Sequence, residues 1–254
     1  MTTRPLFAVC LALSLLFVPS SAQAAITVVE QLAEAQTADN DASWTSVGTF
    51  DIANGATGVC FVFNTDAAGG LTTPTLTGGS VTTWNVTENV PFSTIATPTA
   101  KITTFYGLGT GAAAAAVTAS FSADNQTSVG WNCFELAGAH TSTPFIQDKS
   151  GSTDAATSHT VTIDSARSSG SALLFGIIVS GTAGFTAEYS GLGTETSNTT
   201  PATEWVVQWD IGGSDTTPLW TTSASEEAGY VAVEIAVAAA AGASPRGTLT
   251  GVLP

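Results

Sequence analysis

Short runs of β-branched and aromatic residues, separated by clusters of Gly, Asn, Asp and Pro, follow one another along nearly the whole chain. Runs of this kind are typical of β-strands bounded by turns, and patterns with helical periodicity are nearly absent. The predicted strands are Thr27–Gln31, Ser46–Asp51, Gly58–Asn64, Val81–Thr87, Lys101–Leu108, Ala115–Phe121, Ser128–Leu136, His159–Ile163, Ala172–Ser180, Phe185–Tyr189, Glu204–Trp209, Leu219–Thr222 and Gly229–Val237. This density predicts an all-β fold, a two-sheet antiparallel sandwich that is jelly-roll-like.

Two segments of the chain have nearly the same strand sequence. "WNCFELAGA" begins at Trp131, and "YVAVEIAVA" begins at Tyr230, ninety-nine residues later. "GVCFVFNT" is matched in the same way by "ALLFGIIVS", and the segments occur in the same order in both halves. We therefore predict two related halves, near residues 26–141 and 142–240, folded into one sandwich. The alternative is a chance likeness between strands rich in Thr, Ser and Val.

Both ends of the chain are expected to lie outside this domain. Residues 1–24 resemble a secretory signal peptide, with a short basic start, a mostly apolar stretch and small residues at a cleavage site before Ala25. The apolar stretch is too short to span a bilayer, which takes about 20 residues; the alternative is a buried N-terminal helix. We predict a single domain over residues 25–240, a flexible tail over residues 241–254, and export without membrane insertion.

The chain is strongly acidic, with a formal net charge of −15. Only five Lys and Arg residues stand against 20 Asp and Glu residues, and Arg4 lies in the predicted signal peptide. Such a charge repels phosphate backbones, which makes nucleic acid an unsuitable partner. A protein or glycan surface is the partner we expect, with self-association through Thr- and Val-rich edge strands as a further interaction.

Alternation along the two matching strands predicts which side chains face the core. The predicted core residues of the second strand are Val231, Val233, Ile235 and Val237. The predicted outward-facing residues are Trp131, Cys133 and Glu135 in the first strand and Tyr230, Ala232 and Glu234 in the second.

Cys60 and Cys133 remain once the predicted signal peptide, which contains Cys10, is removed. An even pair in an exported chain favours a disulfide. Alternation places both cysteines on the non-core face, so a cross-strand bridge requires only that the two residues lie opposite each other. The alternative is two buried free thiols.

Tryptophans provide the candidate ligand-binding residues. Trp205 and Trp209 share one face of a predicted strand, about 13 Å apart, and rings spaced in this way can stack on sugar units. The alternative is that this face belongs to the core, where large aromatic side chains are common. Trp131 and Tyr230, on the predicted outward face, form a second candidate sugar platform.

Calcium is the candidate cofactor, because oxygen-rich loops in acidic exported sandwiches can hold this ion. The segment "ADNDAS" offers Asp39, Asn40 and Asp41, and "SADNQ" offers Asp124 and Asn125. The alternative is that these side chains cap turns.

Glu135 and Glu234 are the one carboxylate pair that the repeat itself singles out. Glycosidases use two carboxylates roughly 5–10 Å apart, so the pair defines one hypothesis, a polysaccharide-cleaving enzyme. No serine-hydrolase elbow, HExxH motif or zinc-spaced Cys/His cluster occurs in the sequence. The competing explanation is that the Glu recurs because the strand recurs.

Beyond these residues, the chain resembles a group of exported bacterial and bacteriophage virion β-sandwich domains of poorly defined function. The resemblance rests on the strand "GVCFVFNT", the turn "TPTLTGG", Trp84, and the arm "KITTFYGLGTGAAAAAVTASFS". It continues through "WNCFELAGAHTSTPF", the hairpin "SHTVTIDSARSSGSALLFGIIVS" and the closing strand "AGYVAVEIAVA", over most of residues 45–238. The resemblance implies a structural or surface-binding role.

The leading functional hypothesis is therefore a non-enzymatic extracellular or virion-surface protein with a structural or adhesive role. A carbohydrate-binding module is the alternative, and an enzyme acting through the two glutamates is the third hypothesis.

Overall fold

A computed structural model describes residues 25–66, 70–92, 100–122, 124–181, 184–189, 196–199 and 202–238. The predicted signal peptide and the predicted C-terminal tail lie outside these residues. The strands are β1 (Thr27–Asp41), β2 (Ser43–Phe50), β3 (Thr57–Thr65), β4 (Thr75–Gly78), β5 (Asn85–Phe92), β6 (Ala100–Leu108), β7 (Ala115–Ser120), β8 (Gln126–Ala137), β9 (Phe145–Thr160), β10 (Ala172–Ser180), β11 (Phe185–Ala187), β12 (Thr196–Thr199), β13 (Ala202–Ile211) and β14 (Leu219–Ile235). The predicted all-β class is confirmed.

The two large sheets are built in the same order from successive halves of the chain. The first is five-stranded, in the order β1-β8-β3-β6-β5. The second sheet has six strands. In it, β14 lies between β9 and β10 along its C-terminal part, which gives the order β9-β14-β10-β13-β12, and β11 pairs with the N-terminal part of β14. Every pairing is antiparallel. Strands β1, β3, β5, β6 and β8 therefore have counterparts in β9, β10, β12, β13 and β14.

A third, three-stranded sheet has the order β2-β7-β4. With it, the first eight strands follow jelly-roll order: the first strand pairs with the eighth, the third with the sixth, and the second with the seventh. Strand β5 departs from that pattern because it joins β6 at the edge of the five-stranded sheet. The predicted sandwich is thus present, with an additional layer on its first half.

The central core lies between the two large sheets. Val59, Phe61 and Phe63 of β3 point into it from one sheet, and Leu174 and Ile178 of β10 point into it from the other. The core residues predicted by alternation on β14 and just beyond its end also belong to this cluster: Val231, Val233, Ile235 and Val237. Alternation therefore identified the inner face correctly.

The outer face of each large sheet is also buried along the central strands. On the first sheet, Cys60, Val62 and Trp131 pack against residues of the small sheet and its loops, such as Trp44 and Phe50. On the second sheet, the outer-face cluster contains Leu173, Phe175, Ile177, Tyr230 and Trp220. The molecule is consequently a stack of layers around three apolar clusters.

The ends of β8 and β14 join the two halves. Ala139 and Val237 form an isolated antiparallel bridge. His140 N donates to Ala236 O at 2.8 Å, and Ala238 N donates to Gly138 O at 2.7 Å. Within the ranges given above, no helix has the length and apolar character needed to cross a membrane.

Candidate functional site

Trp205 is a residue of the central core and does not form a surface platform. Its side chain is fully buried, and its ring stacks on Phe63 with 5.7 Å between centroids. Gly130 on the opposite sheet makes room for the indole, since a Cβ at Gly130 would lie 2.4 Å from the ring. The predicted pairing of Trp205 and Trp209 on one face is correct, but that face points into the core.

Trp131 and Tyr230 are also buried, and the prediction that they face outward to solvent is wrong. Trp131 has no exposed surface, and Tyr230 is 7% exposed. Both lie on the non-core face, as alternation predicted, but further layers of the fold cover that face. Tyr230 meets Phe175 edge-on at 6.1 Å. Neither ring can stack on a sugar from this position.

Glu135 and Glu234 are buried on the outer faces of different sheets, so they do not share a catalytic cleft. Glu135 accepts a hydrogen bond from Ala53 N at 3.3 Å. Glu234 accepts one from Ser168 N at 2.7 Å and one from Gln147 Nε2 at 2.5 Å. Each glutamate thus holds the loop that leads into the central strand of its own sheet.

The two loops held by these glutamates have the same turn. Ala56 N donates to Ala53 O at 2.9 Å, and Ser171 N donates to Ser168 O at 3.1 Å. Gly55 and Gly170 occupy the third position of these turns, both with φ of 77°, as a type II turn requires. The recurring Glu is therefore part of a recurring strand and loop, and the origin of the chain in two related halves stays a prediction.

Cys60 and Cys133 form a disulfide, as predicted. The residues face each other in the register of β3 and β8, two neighbouring strands of the five-stranded sheet. The bond is buried among the apolar side chains between this sheet and the small sheet. Disulfides are typical of oxidising compartments, which is consistent with an extracellular protein.

The predicted calcium ligands are only partly described. Asp39 and Asn40 lie in β1, and nothing is described of their side chains. Asp41 is paired in register with Gln126, which places it near Asp124. Asp124 accepts a hydrogen bond from Thr72 Oγ1, and Asp41 accepts one from Ser43 N at 3.3 Å. The described residues contain no group of three or more metal-ligating side chains, and calcium binding stays a prediction.

Trp209, a member of one proposed aromatic platform, lines a pocket in the described part of the chain. It shares a pocket of about 300 Å³ with Tyr189, Asp210 and Ile211. Its ring packs against Phe134 of the central core with 5.3 Å between the ring centroids, while the residue remains partly exposed. The volume is at the lower end of the range for small-molecule sites.

Hydrogen bonds fix the walls of this pocket. Gln208, fully buried on β13, accepts hydrogen bonds from the backbone N–H groups of Glu188 and Tyr189 at 3.0 and 3.1 Å. Gln208 Nε2 donates to Leu219 O at 2.8 Å. Asp210 is ion-paired with Arg167, whose Nη2 also donates to Asp210 O at 2.9 Å. The aromatic and acidic walls are therefore held in place without a ligand.

A second carboxylate, Asp215, accepts a hydrogen bond from the Tyr189 hydroxyl. Burial would raise the pKa of Asp215, but hydrogen bonds from Tyr189 and Thr217 outweigh burial and lower the pKa. Burial, followed by the hydrogen bond to Asp215, raises the pKa of Tyr189. At neutral pH the pair is therefore a neutral phenol beside a carboxylate. Partly exposed rings next to fixed oxygen acceptors can bind an uncharged polyhydroxyl ligand.

Sequence analysis identified Trp209 but not its neighbours in the pocket. Tyr189 lies in the segment between β11 and β13, and Asp215 follows Trp209 closely in the loop between β13 and β14. The fold brings Tyr189 against Asp215 beside Trp209, and no sequence pattern links the two loops. Comparisons with protein-family models, with curated proteins and with solved structures found no match to this chain.

Proposed function

We propose that the protein is a non-enzymatic structural or adhesive protein of a cell exterior or a virion surface. The observation that carries this proposal is the burial of the central strands of both large sheets on both faces, together with the disulfide between β3 and β8 of the first sheet. A scaffold covered in this way presents loops and strand edges to its surroundings. Contacts with a protein or glycan surface, or with further copies of the chain, would then use those loops and edges.

Two features favour contacts through the edges. Strand β9 is a sixteen-residue edge strand that pairs, among the described strands, with β14 alone. Val29 on β1 and Val47 on β2 are apolar side chains with 59% and 87% of their surface exposed. Long edges with unpaired backbone groups are templates for strand addition.

Beads coated with residues 25–254 test the proposal directly. Retention on immobilised protein or polysaccharide surfaces, with no hydrolysis across a panel of polysaccharide and ester substrates, would support it. Turnover of any substrate that scales with protein concentration would contradict the non-enzymatic assignment. Analytical ultracentrifugation of the same sample measures self-association through the edges.

The pocket at Trp209 supports a second candidate function, carbohydrate binding. Its partly exposed Trp209 and Tyr189 rings and its acidic Asp210 side chain are suited to the apolar face and the hydroxyl groups of a sugar ring. This site replaces the wider platform predicted with Trp205, Trp131 and Tyr230, which the core covers.

A glycan array, probed with calcium and again with chelator, tests this candidate. Selective binding that Tyr189→Ala abolishes would place the sugar in the pocket, and loss in chelator would add a calcium site. Tyr106→Ala is the matched control, because Tyr106 is a partly exposed aromatic residue on β6, the counterpart of β13. Unfolding curves of both variants exclude loss of binding through loss of structure. Binding unaffected by Tyr189→Ala would contradict the assignment.

A further inference from the structure

Lys101 is a buried cation without a carboxylate partner among the described residues. It lies on β6, is 6% exposed, and takes part in neither of the two ion pairs found there. Its Nζ donates to Leu71 O at 3.2 Å and to Thr73 Oγ1 at 2.6 Å. Burial lowers the pKa of Lys101, which favours the neutral amine. A desolvated neutral lysine is a nucleophile.

Asn64 lies directly opposite Lys101 in the register of β3 and β6. Its side chain is fully buried, its Nδ2 donates to Gln126 Oε1 at 2.7 Å, and its Oδ1 has no hydrogen-bond partner. Directly opposed residues of an antiparallel pair have Cβ atoms about 4.5–5.5 Å apart and side chains on the same face. The amine of Lys101 therefore has a carboxamide carbon within the reach of its side chain.

A carboxyl group belongs to the same cluster. Asp66, 6% exposed, follows Asn64 by two residues and accepts a hydrogen bond from Gly70 N at 2.5 Å. Gln126, the partner of Asn64, donates through Nε2 to Gly70 O at 3.0 Å. The next residue, Leu71, accepts the bond from Lys101. The amine and the carboxyl group thus both contact the segment from Gly70 to Thr73, and the carboxamide is connected to it through Gln126.

We propose that the folded chain forms an intramolecular amide bond between Nζ of Lys101 and Cγ of Asn64. The Lys101 ammonium gives one proton to the Asp66 carboxylate, and the neutral amine exchanges its contact with Thr73 for the carbonyl carbon of Asn64. The new C–N bond forms, the C–Nδ2 bond breaks, and Asp66 moves the surplus amine proton to the leaving group. The lysine ammonium and the asparagine carboxamide become one amide plus ammonia, which takes the proton first given to Asp66 and leaves as ammonium, with no oxidant, reductant or other reactant consumed.

This amide has a defined structural effect that goes beyond the proposed function. The disulfide joins β3 to β8, and the amide joins β3 to β6 on the other side. Three neighbouring strands at the centre of the five-stranded sheet would then be covalently linked across their hydrogen-bond ladders. Unlike the disulfide, the amide link survives reduction.

The intact mass of the mature chain after reduction of the disulfide tests the proposal. We expect a mass lower than the sequence mass by one ammonia, and a proteolytic map with a branched peptide that contains both Lys101 and Asn64. The full sequence mass would overturn the proposal. A deficit that maps instead to a linear peptide with Asn54–Gly55, where a succinimide can form, would overturn it as well.

Variants supply the matched controls. Asn64→Ala and Lys101→Met should each restore the full sequence mass, whereas Asn132→Ala, at another buried asparagine, and Lys149→Met, at an exposed lysine, should keep the deficit. Should a core variant fail to fold, the peptide map of the unaltered chain still decides the question. Asp66→Asn should abolish the cross-link, and an undiminished cross-link in that variant would overturn the role of Asp66.

Discussion

The contact between Gly130 and Trp205 predicts a measurable coupling between two substitutions. A Cβ at Gly130 would lie 2.4 Å from Cε2 and Cζ2 of the indole, closer than real Cβ contacts. Gly130→Ala therefore overpacks the central core and should lower the free energy of unfolding by about 1–3 kcal/mol. Trp205→Ala leaves a cavity at the same place and should lower the free energy of unfolding by about 3–5 kcal/mol.

Combined in one chain, the two changes should partly compensate, because the added methyl group occupies space that the indole has left. We expect the double variant to be more stable than the sum of the single effects by on the order of 1–2 kcal/mol, within the usual range for residues in contact. Urea unfolding followed by circular dichroism, with the disulfide intact, measures the three free energies.

Gly229→Ala is the matched control for this cycle. Gly229 occupies the corresponding place on β14, but its missing Cβ faces Phe92 at 2.7 Å and not Trp205. Gly229→Ala and Trp205→Ala should therefore be additive. Additivity of Gly130→Ala and Trp205→Ala within about 0.5 kcal/mol would refute the packing argument. If Trp205→Ala left the free energy of unfolding unchanged, Trp205 would not be a core residue and would again be a candidate for the sugar platform.

Three further perturbations test separate parts of the structure. Replacing both Cys60 and Cys133 by Ala removes a cross-link with a sequence separation of 73, and chain entropy predicts that the free energy of unfolding falls by about 4 kcal/mol. A decrease below about 1 kcal/mol in denaturant titrations would contradict this mechanism. Glu234→Gln should lower the free energy of unfolding by about 1–2 kcal/mol, and Glu135→Gln should lower it by less. The reason is that Glu234 accepts two hydrogen bonds of 2.7 Å or shorter, whereas Glu135 accepts one at 3.3 Å. The reverse order in the same titrations would argue against the proposed anchoring of the loops. Burial lowers the pKa of His159, so the unfolded chain binds more protons than the folded chain near pH 6. The melting temperature should therefore fall as the pH falls from about 7 to about 5. In His159→Gln this dependence of the melting temperature on pH should be weaker. An unchanged dependence would assign the effect to other groups.

Alternation was sufficient to predict the inner faces of the sheets but not the fate of their outer faces. The pattern on β14 separates Val231 and Val233 from Tyr230 and Glu234, which is the separation that the structure has. A period of two, however, divides residues between two faces and carries no information on whether another layer covers the second face. The outward platform with Trp131 therefore could not be excluded from the strand sequence.

A signal for the core position of Trp205 was present in the sequence. Gly130 and Gly229 immediately precede the two matching strand segments, and a glycine inside a strand often marks the close approach of another group. In the structure each glycine receives an aromatic ring, Trp205 on Gly130 and Phe92 on Gly229. Aligning the two halves with these glycines included would have indicated that large rings are needed opposite them.

The long edge strands could not be predicted from side-chain patterns. Strand β9 runs from Phe145 to Thr160, whereas sequence analysis placed a strand only from His159 onward. Most of its residues are small or polar and partly exposed, so the strand lacks the alternation by which half-buried strands are identified. Backbone pairing with β14 determines its conformation, and that pairing depends on tertiary structure.

The matched halves pack with corresponding faces of their large sheets turned toward each other, although the rings that cover the two glycines come from strands that are not counterparts, β13 and β5. Gly130 of the first half receives Trp205 of the second, and Gly229 of the second half receives Phe92 of the first. Each half thus supplies the cover for the other's apolar sheet. A separated half would expose that sheet to water and should pair with a second copy of itself. In the intact chain the two halves are joined covalently, so dilution cannot separate them.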